Sequence, residues 1–122
     1  MRINSKKLLT RKLDNICSQI IREQGYCSKC GKKENLQACH IFPRSLRSVR
    51  WDIELNIICL CGGCHRFWAH LNPIEFTEFV RNYLGKKEYE VLRRRARTIK
   101  KWTLDEMLEL YEELKKMKTN LK

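Results

Sequence analysis

Two Cys-x-x-Cys knuckles, Cys27-Ser-Lys-Cys30-Gly31 and Cys61-Gly-Gly-Cys64, restrict this 122-residue chain more than any other feature. A two-residue spacing lets a tight turn point both sulfurs of a pair at one ion, so the two pairs offer the four thiolates of a tetrahedral zinc shell. Gly31, Gly62 and Gly63 are expected to permit backbone conformations that a Cβ would resist. A shell of four cysteines has no open position, so this zinc is expected to hold the fold and do no chemistry. A chain of this size builds only a modest core, which makes such a staple valuable. The alternative is a set of buried free thiols or a redox pair, for which elemental analysis finds no zinc and thiol titration changes with oxidant.

The other cysteines are Cys17, Cys39 and Cys59, which brings the count to an odd seven. The first residues are charged and helix-like, without a secretory apolar stretch, so a reducing cytoplasm is expected and a disulfide scaffold is not. No apolar run approaches the roughly 20 residues that cross a bilayer.

Hydrophobic spacing divides the chain into three parts of one expected domain. Leu8, Leu9, Leu13, Ile16, Cys17, Ile20 and Ile21 recur at three- and four-residue steps, which predicts a helix over 5–24 within an N-terminal segment 1–25. Residues 26–72 hold six cysteines and all three histidines and lack long helical periodicity. Here 36–42 and 53–60 read as short strands and 64–71 as a short helix. In 73–122, Asn72-Pro73-Ile74-Glu75 marks a helix start, predicting a helix over 73–84 before Gly85. A further helix is predicted over 86–99, and the Thr103 to Glu106 capping box opens a last one that reaches about residue 117. The fold class is therefore α+β and mainly helical, a zinc-stapled core between N-terminal and C-terminal helices.

Lys and Arg number 26 against 14 acidic residues, a formal charge of +12 spread over all three segments. An excess of this size on a short chain points to a polyanion, with nucleic acid favoured. Arg44, Arg47 and Arg50 form one candidate phosphate grip. Arg93, Arg94, Arg95, Arg97, Lys100 and Lys101 put six charges within nine residues and form another. The competing reading of the second group is neutralisation by Asp105, Glu106, Glu109, Glu112 and Glu113 on the following helix. No recognition-helix code is legible, so binding through shape and phosphates is expected.

Between the knuckles lie Leu36-Gln-Ala-Cys-His40-Ile-Phe-Pro-Arg-Ser45 and Arg50-Trp-Asp-Ile-Glu-Leu-Asn56, with His65 directly after the second pair. A histidine on a first strand, an asparagine ahead of the second cysteine pair and a histidine on the following helix resemble the HNH, or ββα-metal, endonucleases. The Leu-Gln-x-x-His and Arg-aromatic-Asp-x-x-x-Asn segments are similar to the phage recombination endonucleases of the NinG or Rap group, over roughly residues 26–75. The resemblance implies metal-dependent cleavage of DNA, with branched recombination intermediates such as Holliday junctions as substrate and a phage or prophage setting. It implies His40 as general base, Asn56 as the residue that orients the His40 loop or reaches the metal, and His65 as a metal ligand. The metal would be Mg2+ or Mn2+ in addition to the structural Zn2+.

The chain departs from the family at Cys39, where an Asp or His often helps to bind metal, and a thiolate is a poor magnesium ligand. Either Cys39 is a bystander and Glu54, Asp52 or His70 completes the site, or Cys39 binds and softer ions are preferred. Each histidine also has a plainer reading: His40 as a core hydrogen-bonder, His65 as a substitute in the structural shell, His70 as cover for a helix surface. Symmetric cutting of a junction would need two active sites and hence a homodimer, for which Leu104, Met107, Leu108, Tyr111 and Leu114 offer an apolar row that could equally be core. The other functional readings are a nicking or restriction-type nuclease of the same family and a non-catalytic zinc module that binds nucleic acid.

Overall fold

A computed structural model describes residues 5–121. Helix α1 (Lys6–Arg22) begins where the Ser5 side chain accepts the Leu8 N–H, and it buries Leu9, Leu13, Ile16, Cys17 and Ile20 along one stripe. Strands β1 (Leu36–His40) and β2 (Ile57–Cys61) pair antiparallel, with Leu36 opposite Cys61 and His40 opposite Ile57. A short π-helical segment (Cys64–Ala69) follows, then α2 (Pro73–Leu84), α3 (Lys86–Arg97) and α4 (Leu104–Asn120). The mainly helical α+β fold with a two-stranded sheet agrees with the sequence reading. Among the described residues no helix is long and apolar enough to cross a membrane.

The sheet lies between two helical layers, which is why every residue of β2 is buried. On one side Ile57 and Trp51 join the apolar stripe of α1 and Met107 and Leu114 of α4. On the other, Ile58, Leu60 and Cys39 pack with Phe76 and Val80 of α2 and Tyr89 of α3. The apolar row of α4 is thus spent on α1: Met107 is fully buried, Leu114 nearly so, and Leu104, Leu108 and Tyr111 pack against the same cluster. Of the two readings of this row, core or dimer face, the packing fits core.

Three of the boundaries that differ from the sequence reading have a visible cause. The second strand starts at Ile57 and not at residue 53, because Asp52 caps the preceding turn: its Oδ1 accepts the Leu55 N–H and its carbonyl the Asn56 N–H. The first strand stops at His40 and not at residue 42, because the Phe42 N–H turns to the Asn56 side chain instead of a ladder partner. Helix α3 ends at Arg97, Thr98 being extended, so Ile99 is 90% exposed and Lys100 and Lys101 lie in the linker before α4.

Candidate active site

The knuckles meet across the hairpin. One sulfur from each of Cys27, Cys30, Cys61 and Cys64 lies within 4.8 Å of the others, and the Cys30 and Cys61 sulfurs are 3.7 Å apart. A tetrahedral ion with metal–sulfur bonds of about 2.3 Å spaces its sulfurs by about 3.8 Å, so the donors present fit zinc. Gly31 sits at φ +80°, a left-handed turn that glycine adopts without strain. At Gly62 a Cβ would stand 2.3 Å from the Asn35 side-chain nitrogen, the end of an exposed side chain that can swing aside. Gly63, in contrast, is ordinary right-handed helix with open space around it, so the expectation that it requires a glycine is corrected.

Beside this staple a cleft of about 650 Å³ opens between α1 and the hairpin, and all three histidines line it, with Asp14, Asn15 and Arg44. His40 Nε2 lies 2.9 Å from the Arg50 carbonyl oxygen. A carbonyl only accepts, so Nε2 carries the proton and the neutral ring keeps its lone pair on Nδ1. His65 is arranged in mirror fashion: Nδ1 is 2.9 Å from Oε1 of Gln37, which as acceptor fixes the proton there and leaves Nε2 with the lone pair. Burial pushes both rings below the usual imidazole range; for His40 the nearby Arg44 and Arg50 charges push the same way, and for His65 those of His70 and His40. Both imidazoles are therefore neutral at neutral pH.

The π-helical pitch decides where His70 goes. Five residues make a little more than one turn of a π-helix, against well over one turn of an α-helix, so the wider coil brings positions five apart onto one side. The His65 and His70 rings accordingly lie 4.9 Å apart, and His70 is exposed at the cleft.

Asn56 is fully buried and its amide is fully used: Oδ1 accepts the Phe42 N–H at 2.7 Å, while Nδ2 donates to the carbonyls of Phe42 at 3.0 Å and Val49 at 2.9 Å. It clamps the loop that leaves His40, and the half of the expectation that had its oxygen reach a metal is corrected, because no path to solvent remains. Cys39 is corrected too. It points away from the cleft into the α2 side of the core, and burial pushes its thiol up to about 12, so no thiolate is at hand. Asp52 faces Arg95 at 2.8 Å, and neither it nor Glu54 lines the cleft.

Residue spacing gave no hint of Asp14. Its Oδ1 accepts from Arg50 Nε at 3.0 Å and Trp51 Nε1 at 2.8 Å, and its Oδ2 accepts from Arg50 Nη2 at 2.6 Å. Burial raises the carboxyl, but the hydrogen bonds of Arg50 and Trp51 and the charges of Arg50 and Arg44 outweigh it and hold Asp14 below its usual range. Arg50, expected as a phosphate grip, is thereby committed to the fold, with its guanidinium also 5.8 Å from the Trp51 ring centroid. Arg44 remains largely exposed at the cleft, 3.5 Å from Asp14, and Arg47 is exposed beside Trp51. The one available signal was that Asp14 is the sole acid in an otherwise basic helix.

A strand histidine and a clamp asparagine between two cysteine pairs, with a helical histidine directly after the second pair, fit the pattern seen in the sequence. Residues 27–72 match the family model described as HNH endonuclease. The matched HNH segment covers less than half of the chain and contains His40, Asn56, His65, His70 and all four knuckle cysteines. It supports a metal-dependent nuclease that acts on nucleic acid. Asp14, Asn15 and the rest of α1, one wall of the cleft, lie outside the HNH segment. No curated protein and no solved structure matches the chain.

Proposed function

We propose that this protein is a metal-dependent DNA endonuclease in which His40 is the general base. The observation that carries this reading is the bond from His40 Nε2 to the Arg50 carbonyl, which leaves Nδ1 a free acceptor on a ring that lines an open cleft beside a second imidazole with a free Nε2. His40 Nδ1 takes the proton of the attacking water, and its lowered pKa keeps it ready to do so at neutral pH. Asn56 holds the loop after His40, and Asp14 holds Arg50 so that the Arg50 carbonyl stays beneath the ring. His65, with its lone pair directed by Gln37, and its neighbour His70 would hold the divalent ion. Two imidazoles suit Mn2+ or a later transition ion better than Mg2+, which prefers oxygen donors. Such an ion supplies charge neutralisation on the scissile phosphate and leaving oxygen. Arg44 at the rim is placed to hold a neighbouring phosphate.

The motif resemblance to the NinG and Rap group supports branched DNA as the preferred substrate. Zinc-loaded protein incubated with four-way junction, linear duplex and single-stranded DNA, with Mn2+, Mg2+ or neither, tests both levels. Cleavage that needs the added ion, and that falls by about 10²- to 10⁴-fold in His40→Ala while DNA binding persists, is the expected result. Binding without cleavage under any ion would leave a non-catalytic zinc module instead.

A further inference from the structure

The sequence points to α3 and the linker after it as the second phosphate grip, but those charges are half neutralised where they stand. Arg93 faces Glu90 at 3.1 Å, Arg95 faces Asp52 at 2.8 Å, and Lys100 faces Glu106 at 2.7 Å. No residue of that run lines the histidine cleft.

A different basic surface does adjoin it. Across the exposed ridge of α1 from the cleft lies a groove of about 540 Å³ between α1 and α4. Asn15, exposed on the ridge, lines both hollows, so they flank the helix at the same residue. Lys12, Lys115 and Lys118 line the groove, and no acidic side chain does. The Lys12 and Lys115 ammonium groups sit 5.9 and 5.2 Å from the Tyr111 ring centroid, and Lys118 donates to the Gln19 side chain. Among the described residues Lys115 pairs with Glu112 at 3.2 Å, an exposed contact like that of Arg93 with Glu90, which leaves Lys12 and Lys118 without an acidic partner.

We propose that this α1–α4 groove holds the phosphates of the DNA strand on one side of the scissile bond, continuing the path that begins at the histidines. The assignment rests on the nuclease reading for its polyanion, but not on the HNH segment for its residues, since neither helix belongs to that segment. Flexible ammonium groups beside an aromatic ring offer charge without base readout, which suits a backbone track.

The test measures binding alone, in zinc-loaded full-length His40→Ala, so that the DNA stays intact. Fluorescence anisotropy with a labelled duplex is followed over a range of salt for this parent, for added Lys12→Ala/Lys115→Ala/Lys118→Ala, and for added Arg94→Ala/Arg97→Ala/Lys101→Ala. The groove triple is expected to weaken binding about tenfold or more near 0.1 M salt and to flatten log K against log salt by about one unit for each phosphate no longer neutralised. Because Lys118 also touches α1, Lys115→Glu alone, at an exposed position, should weaken binding in the same direction even if the triple variant proves unstable. Affinity and salt slope unchanged in the groove variants, with the loss found in the α3 triple, would overturn the assignment, as would a parent that does not bind DNA. Absence of cleavage in the wild-type protein would instead overturn the nuclease reading and leave the binding result standing.

Discussion

His40 keeps its lone pair on Nδ1 because its other nitrogen is committed to Arg50, and Arg50 is in turn committed to Asp14. Such a chain has a measurable end. Cleavage requires neutral His40, so its rate should fall as pH drops, with a midpoint below the roughly 6.5 of a free imidazole. The Asp14 charge opposes that lowering, so Asp14→Asn should move the acidic limb to still lower pH while cutting the rate roughly 10- to 100-fold through a misplaced ring. A role confined to stability would leave the limb where it is, and Asp14→Glu, which keeps the charge, should recover part of the rate. A pH–rate series on the three proteins decides it. His40 and His65 were visible in the sequence because the strand and the second knuckle fix their neighbourhood. Asp14 was not, because its partners stand 36 and 37 residues away and only folding brings them together.

At the level of elements the knuckles carry the hairpin, and their glycines are unequal. Gly31→Ala puts a Cβ into the left-handed region and should cost about 1–2 kcal/mol in urea denaturation, with faster loss of zinc to a chelator. Gly63→Ala meets nothing and should be nearly silent in both measurements. Equal effects would refute this account of the knuckle turns. The zinc cluster was legible from spacing, since its ligands come in local pairs. The strand ends were less so: Asp52 and Asn56 were read for the chemistry they could do, and only folding shows their side chains standing in for backbone partners. The π-helical pitch left no mark in the sequence either, and with it the pairing of His65 and His70 stayed undecided.

Across the whole molecule α1 has two employments, walling the histidine cleft on one side and the lysine groove on the other, and its apolar stripe is pressed against α4. Met107 lies in that seam with no exposed surface, so Met107→Ala should cost about 2–5 kcal/mol, read from a denaturant midpoint that moves without a change of slope. A variant that melts like the parent would show that the seam does not hold the helices. The element order was legible from hydrophobic periodicity, but which element faced which was not, because amphipathic stripes do not name their partners. The clasp between Asp14 and Arg50 also bears on engineering. A cassette of residues 27–72 moved to another scaffold would bring its imidazoles and sulfurs along, yet the carbonyl under His40 would be left without its anchor. What such a transplant could cut would depend on the helix its new host lays alongside it.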